Sequence, residues 1–227
     1  MLAEWISSPT NVLFRQKVLT PDSMVLELGC GISGLVALAL APKIGRYVAT
    51  DQDYVLKLLR ENLAKNTNTP AQSSTKPARH NSGHAGRNLF QANQLARTNR
   101  PIETMALDWE LDSLAALPDL LNISSIDRST MIDAVIACDC IYNEALIDPF
   151  VRTCVDLCRL SGAAPSGRST VCIVAQQLRS STVFESWLSA FHKEFRVWRF
   201  PDELLTKGLR GNSGFAVHMG LLRSRNA

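Results

Sequence analysis

Apolar residues along the chain form short runs separated by segments with helical spacing. Seven runs predict buried strands, at residues 24–28, 46–50, 102–107, 131–138, 169–176, 195–199 and 214–222. Four segments between them predict helices, at residues 33–41, 54–66, 143–160 and 182–193. Strands that alternate with helices form right-handed βαβ units. We therefore predict an α/β fold with a mostly parallel sheet that is covered on both faces.

The first predicted helix carries its own start and stop signals. Ser33 precedes its apolar residues and is expected to cap it, and Pro42 is expected to end it.

Residues 67–100 interrupt this pattern. The segment holds five basic residues and no Asp or Glu, and it has almost no large apolar residue before Leu89. Such a composition buries too little apolar surface to offset the entropy lost on ordering. We expect a disordered basic insertion within a single domain that spans 1–227. Its charge favours a weak contact with RNA or an acidic partner, and the alternative is a surface insertion without a specific role.

Composition places the chain among ordinary globular proteins. It has 227 residues, 46% of them apolar, and a formal net charge of +3. A chain of this length can bury a full core without a metal or a disulfide. No apolar run approaches the length of a membrane span, and the N-terminus lacks the basic and apolar regions of a signal peptide. We expect a monomeric protein in the cytoplasm, with the nucleus as the alternative location.

The cysteines lie mainly inside the predicted core elements. They are Cys30, Cys138, Cys140, Cys154, Cys158 and Cys172. Cytosolic thiols stay reduced, and a free cysteine packs as a small apolar residue. Their spacing contains no C-x-x-C pair and no histidine nearby, so we predict neither disulfides nor a metal site.

The first strand–turn–helix unit carries the clearest candidate chemistry. Gly29, Gly31 and Gly34 form a G-x-G-x-x-G motif directly after a predicted strand and before a predicted helix. Glycine allows the turn its unusual backbone angles and lets a ligand approach the main chain. Asp51 ends the second strand, where a carboxylate can accept hydrogen bonds from both hydroxyls of a ribose. The motif predicts a site for an adenosine-containing cofactor.

Two features favour S-adenosyl-L-methionine over a dinucleotide. Glu27 precedes the glycines, where its charge would repel a diphosphate and could anchor the loop or face the cationic methionine end. Asp108 and Trp109 end the third strand and offer an acceptor for the adenine amino group and an indole to pack on its ring. An oxidoreductase that binds an NAD-type dinucleotide remains the alternative.

Four motifs together resemble the seven-β-strand protein lysine methyltransferases (methyltransferase family 16). These are ELGCGISG at 27–34, the strand ending in Asp51, LDW at 107–109 and ACDCIY at 137–142. Within this family the chain is most similar to the fungal enzymes that methylate a lysine of a ribosomal protein. The resemblance covers most of the chain outside 67–100. It implies a Rossmann-like class I methyltransferase fold with seven strands, the last inserted antiparallel, and a ribosomal protein as the substrate.

The resemblance also assigns roles to residues around the cofactor. It implies that Gly29, Cys30 and Gly31 form the cofactor loop and that Asp51 binds the ribose. It places Trp109 beside the adenine and makes Cys138 the small residue that contacts the adenine at the end of strand four.

Residues 139–142 match the family's Asp-x-x-Tyr motif at the substrate lysine. Asp139 would orient the amine, and Tyr142 would line the lysine channel through a cation–π contact and a phenolic hydrogen bond. The alternative for Asp139 is the N-cap of the helix that follows. A base methyltransferase would carry prolines in the middle of this motif, where Cys140 and Ile141 stand.

The resemblance departs at the N-terminus. The family has an upstream segment whose tryptophan covers the cofactor, and Met1 begins after that point. We expect Trp5 to be a core residue of the first helix and not a replacement for that tryptophan. A cofactor-binding interaction module with weakened catalysis is therefore a further alternative.

Overall fold

Seven strands form one sheet in the computed structural model, which describes residues 1–67, 102–112, 117–121, 131–161 and 169–224. The strands are β1 Met24–Leu28, β2 Arg46–Asp51, β3 Glu103–Ala106, β4 Ile132–Cys138, β5 Val171–Gln177, β6 Phe195–Arg199 and β7 Phe215–Leu222. Their order is β3-β2-β1-β4-β5-β7-β6. The first five are parallel, and β7 runs antiparallel to both β5 and β6. The predicted sheet and its inserted last strand are confirmed.

The helices of the described residues are α1 Leu2–Ser7, α2 Val12–Arg15, α3 Leu35–Leu40, α4 Asp53–Thr67, α5 Leu117–Leu120, α6 Ile147–Ser161 and α7 Ser181–Glu194. The predicted basic insertion lies outside the described residues except for Thr67, which ends α4. Its contact with RNA and the single domain over 1–227 therefore stay predictions.

The sheet separates two apolar layers because alternate side chains of each strand face opposite sides. Val25 of β1 belongs to the layer that contains α1 and α3, and Leu26 belongs to the layer that contains α6 and α7. Every residue of β1 is buried, as expected for a central parallel strand covered on both faces. This double burial explains why β1 is a continuous apolar run in the sequence, broken only by Glu27.

Trp5 of α1 lies in the apolar layer that contains α1 and α3, so it is a core residue, as predicted. Its side chain is 2% exposed, and its ring packs edge-on against Phe200 with 5.1 Å between ring centroids. The indole Nε1–H donates a hydrogen bond of 2.6 Å to the Leu204 carbonyl. These contacts attach α1 to the segment between β6 and β7.

All six cysteines are free thiols, and Cys154, Cys158 and Cys172 are buried between α6 and β5. The Sγ atoms of Cys158 and Cys172 are 3.5 Å apart. Burial raises the pKa of Cys154, so this thiol is neutral and packs as an apolar group.

Two predicted helix starts were wrong. Ser33 does not cap α3, because the helix begins at Leu35 and its N-cap is Gly34 in the left-handed conformation (φ 58°) with no side-chain hydrogen bond. The helix predicted from residue 143 begins at Ile147, after a short 3-10 turn. The side chain of Asn143 caps that turn by accepting the Leu146 N–H at 3.2 Å.

Candidate active site

A cleft opens at the edge of the sheet where the parallel strands β1 to β4 end. The strand order reverses between β1 and β4, and open α/β sheets bind ligands at such a point. The described residues that line the cleft are Gly29, Gly31, Asp51, Gln52, Tyr54, Leu107, Asp108, Trp109, Glu110, Asp139, Cys140, Tyr142 and Leu146.

The three glycines of the first motif serve three different purposes. All have positive φ angles, of 62°, 66° and 58° for Gly29, Gly31 and Gly34. A Cβ on Gly29 would lie 2.6 Å from the Cβ of Cys140, so this glycine lets β1 and β4 approach each other at the cleft. A Cβ on Gly34 would lie 2.8 Å from Leu63 of α4. A Cβ on Gly31 would meet no atom within 4 Å, which leaves open space where a ligand can reach the backbone.

Asp51 is held rigidly beside the glycine loop. Its Oδ2 accepts the Gly31 N–H at 2.8 Å, and its Oδ1 accepts the Gln52 N–H at 2.8 Å. Each oxygen keeps a further lone pair, so the carboxylate can still accept hydrogen bonds from two ribose hydroxyls.

Asp108 and Trp109 line the cleft next to Gln52 and Gly29. Asp108 Oδ1 accepts the N–H of Glu110, and Oδ2 accepts Nε2 of Gln52 at 3.2 Å. The Trp109 ring meets Phe150 edge-on at 5.3 Å and lies beside Gly29. An acid and an aromatic ring thus lie together in the cleft, and their contact with an adenine stays a prediction.

Three predicted cofactor residues do not line the cleft. Glu27 is 2% exposed below the glycine loop, where its Oε2 accepts the Tyr47 hydroxyl at 2.7 Å. Cys30 is buried in the layer with α1 and α3, and Cys138 packs against that layer. Cys138 was predicted to contact the adenine at the end of strand four, but Cys140 is the cysteine that lines the cleft, beside Gly29, because the chain turns at Asp139 and the strand alternation ends there.

Burial raises the pKa of Glu27 to about 7, although the Tyr47 hydrogen bond opposes this shift and the Asp51 charge adds to it. The carboxyl is therefore partly protonated at neutral pH, which weakens the argument that its charge would repel a diphosphate.

This buried carboxyl predicts a pH-dependent stability. An unfolded glutamate ionises near 4.5 and the folded Glu27 near 7, so folding takes up a proton between these values and the free energy of unfolding falls as pH rises through this window. Glu27→Gln keeps an acceptor for Tyr47 but cannot ionise. We expect the free energy of unfolding of Glu27→Gln, minus that of the wild type, to grow by about 2 to 3 kcal/mol from pH 5 to pH 8, measured by urea denaturation.

Glu61→Gln on the exposed side of α4 is the matched control, and its difference from the wild type should stay constant over this range. A constant difference for Glu27→Gln as well would show that the carboxyl ionises normally in the folded protein.

Asp139 lies where β4 ends and has an unusual backbone, with φ of 55°. Its N–H donates to the Ala175 carbonyl of β5 at 2.8 Å. Its Oδ1 accepts the Gln177 N–H at 3.2 Å, and its Oδ2 forms an ion pair of 2.5 Å with Nη2 of Arg179. Asp139 caps no helix, so that alternative is wrong; Asn143 has the capping role.

Tyr142 lines the same cleft and is 69% exposed, which leaves its ring available to a partner. The structure thus brings seven predicted residues together: Gly29, Gly31, Asp51, Asp108, Trp109, Asp139 and Tyr142.

Sequence reasoning missed several residues around the cleft. Gln52 and Tyr54 come one and three positions after Asp51. Their place in the lining of the cleft could have been inferred from their position after β2. Arg179 stands 40 positions from its partner Asp139, and no sequence spacing indicates that contact.

Comparisons with solved structures identify the fold. The S-adenosylmethionine-dependent methyltransferase SibL, in its apo form, matches 98% of this chain and 55% of its own, with a TM-score of 0.53 and 15% identity. A TehB-like methyltransferase from Corynebacterium glutamicum matches 97% of this chain and 86% of its own, with a TM-score of 0.50 and 11% identity. The fold is that of the class I S-adenosylmethionine-dependent methyltransferases.

Curated relatives of this methyltransferase-fold chain confirm the resemblance seen in its motifs. A protein named ribosomal lysine N-methyltransferase 5 from Vanderwaltozyma polyspora is 30% identical over 201 residues, which cover 86% of this chain and 58% of the relative. The protein of the same name from Zygosaccharomyces rouxii is 32% identical over 182 residues, covering 78% and 52%. The chain thus spans about half the length of the curated relatives it matches. No protein-family model matches it.

Among the described residues, no three His, Cys, Asp or Glu side chains cluster closely enough to hold a metal ion. None of the helices in the described ranges has the length and apolar character needed to cross a membrane.

Proposed function

We propose that the protein is an S-adenosyl-L-methionine-dependent protein-lysine N-methyltransferase and that its substrate is a ribosomal protein. The observation that carries the proposal is that Asp139 and Tyr142 share one cleft with the glycine loop and Asp51. A cofactor held by the loop and a lysine held by Asp139 would therefore meet in one space. The names of the relatives support the same chemistry and the same substrate class.

The residues of the cleft fit this cofactor. The open space over Gly31 admits a ligand next to the backbone, and Asp51 presents its carboxylate beside that space. Trp109 lines the same cleft and offers an aromatic ring on which an adenine can pack. S-adenosylmethionine supplies a methyl group activated by a sulfonium.

The remaining task of the protein is to present a neutral, aligned amine. A free lysine has a pKa of about 10.4, so its nucleophilic form is scarce at neutral pH. Asp139 can accept a hydrogen bond from the amine and fix its direction, and the exposed Tyr142 ring can guide the lysine side chain towards the cleft. Positioning is the main role that we assign to Asp139.

The alternatives have less support. The usual dinucleotide-binding sheet continues from β5 to a sixth parallel strand, whereas here the antiparallel β7 lies between β5 and β6. Asp139 and Tyr142, the residues proposed to act on the lysine, both line the cleft. Among the described residues, no contact favours an interaction module with weakened catalysis over an enzyme. A monomeric state and a cytoplasmic or nuclear location are further parts of the proposal.

Transfer of a labelled methyl group tests the proposal. The protein is incubated with methyl-tritiated S-adenosylmethionine and ribosomes, and label is then separated into protein, RNA and small molecules. We expect label in one or a few ribosomal proteins, released on hydrolysis as methyl-lysine. Label in RNA, in methyl-arginine or in a small molecule would contradict the lysine assignment.

A further inference from the structure

The last residue of β5 and the loop that follows it engage both carboxylate oxygens of Asp139. The Gln177 N–H binds Oδ1, and the Arg179 guanidinium binds Oδ2. Arg179 is itself aimed by a second contact, because its Nε donates to Oε1 of Gln177 at 2.9 Å. The end of β5 and the loop after it therefore place a cation on the proposed lysine-binding carboxylate and orient that cation through Gln177.

Asp139 and Tyr142 stand between two cavities. Besides the cleft, both residues line a smaller cavity that also contains Gln177, Arg179 and Phe184. Arg179 lines only this second cavity, so it approaches Asp139 from the side away from the glycine loop. The side of the carboxylate towards the cleft stays open, since Asp139 lines the cleft as well and its side chain is 28% exposed.

Carboxylates dominate the charge around this point. The other titratable groups lining the two cavities are Asp51, Tyr54, Asp108, Glu110, Cys140 and Tyr142, and His218 lies behind the second cavity against Phe184. Burial holds the pKa of Cys140 well above its usual range and lowers the pKa of His218 to about 4, so both are neutral near pH 7. Among the described lining residues, Arg179 is the one permanent cation.

We propose that Arg179 is a positioning residue that neutralises Asp139, so that the carboxylate aligns the substrate amine without stabilising its ammonium form. The inference rests on the proposed function. A carboxylate without a partner would hold the lysine as an ammonium, which has no lone pair for attack on the methyl carbon. A carboxylate already paired with Arg179 can accept a hydrogen bond from the neutral amine, after the lysine has released its proton to water.

Single-turnover methyl transfer to extracted ribosomal proteins, measured from pH 6.5 to 9.5 at saturating S-adenosylmethionine, tests this role. In Arg179→Gln we expect the midpoint of the rise in rate to move up by about one pH unit, with a rate about tenfold lower below the midpoint and equal to wild type on the high-pH plateau. The concentration of extract that gives half the maximal single-turnover rate should fall in this variant, because the ammonium form of the substrate lysine binds more tightly. Arg179→Lys restores the charge and should restore the profile.

Arg159→Gln is the matched control. Arg159 also forms an exposed ion pair, with Asp156, and this pair lies near the C-terminal end of α6. Its profile should equal that of the wild type. An unchanged profile in Arg179→Gln would overturn the inference, as would an equal loss at every pH that Arg179→Lys does not restore. If the wild-type protein itself transfers no label, the proposed function fails and the inference with it.

Discussion

Replacing Asp139 with alanine is expected to reduce methyl transfer by about 10³-fold while the affinity for S-adenosylhomocysteine changes less than threefold. The carboxylate faces the cleft beside Tyr142, whereas we propose that the glycine loop and Asp51 hold the cofactor. Loss of turnover without loss of cofactor binding indicates an interaction made with the substrate or in the transition state. The measurements are labelled transfer to ribosomal protein and calorimetry with S-adenosylhomocysteine.

The backbone of Asp139 calls for a second variant. Its φ of 55° suits aspartate and asparagine better than alanine, so Asp139→Asn separates loss of the charge from strain in the chain. Asp156→Ala, which removes an exposed carboxylate paired with Arg159, is the control and should keep full activity. If both Asp139 variants lose the cofactor or unfold, the residue has a structural role and the positioning role is wrong.

Replacing Asp51 with alanine is expected to weaken binding of S-adenosylhomocysteine by about 100-fold. Two hydrogen bonds from ribose hydroxyls to a charged acceptor are lost, and bonds of this type contribute about 1.5 to 3 kcal/mol each, so the estimate is at the lower end. The change also frees the N–H of Gly31 and so loosens the loop. Calorimetry measures the effect. Asp51→Asn keeps one acceptor for the Gly31 N–H, so its affinity for S-adenosylhomocysteine should lie between those of the wild type and Asp51→Ala.

Asp53→Ala is the control for charge alone. Asp53 is an exposed carboxylate two positions away in the first turn of α4, and it does not line the cleft. The affinity of Asp53→Ala for S-adenosylhomocysteine should stay within threefold of that of the wild type. An equal loss in Asp53→Ala and Asp51→Ala would mean that the general negative field, and not a contact with ribose, holds the ligand.

The sheet was predictable because its strands are buried on both faces and stand out as short apolar runs. The observed β1 and β6 coincide with the predicted ranges. The starts of two helices were not predictable from residue type. At α3 the turn needs a left-handed backbone, so Gly34 takes the cap position that Ser33 was expected to fill. Before α6, Asn143 favours a separate 3-10 turn over an extension of the helix.

The cleft was predictable as far as it depends on where parallel strands end. Asp51 ends β2, and Asp108 and Asp139 follow β3 and β4; the carboxyl ends of these strands meet at one edge. Cys138, which was predicted to contact the adenine, packs against the layer with α1 and α3, and the left-handed Asp139 turns Cys140 towards Gly29 in the cleft.

Arg179 escaped prediction for a different reason. Its contact with Asp139 depends on the register between β4 and β5, in which Cys138 pairs with Ala175, and on the path of the loop after β5. Neither is encoded in a local sequence pattern.

Calorimetric titration of the wild-type protein with S-adenosylhomocysteine and, separately, with NAD tests most directly whether the cleft is an S-adenosylmethionine site. We expect one molecule of S-adenosylhomocysteine to bind per chain with micromolar affinity, about 100-fold more weakly in Asp51→Ala, and no heat of binding with NAD. Binding of NAD without any response to S-adenosylhomocysteine would contradict the assignment of the cleft and favour a dinucleotide-binding protein.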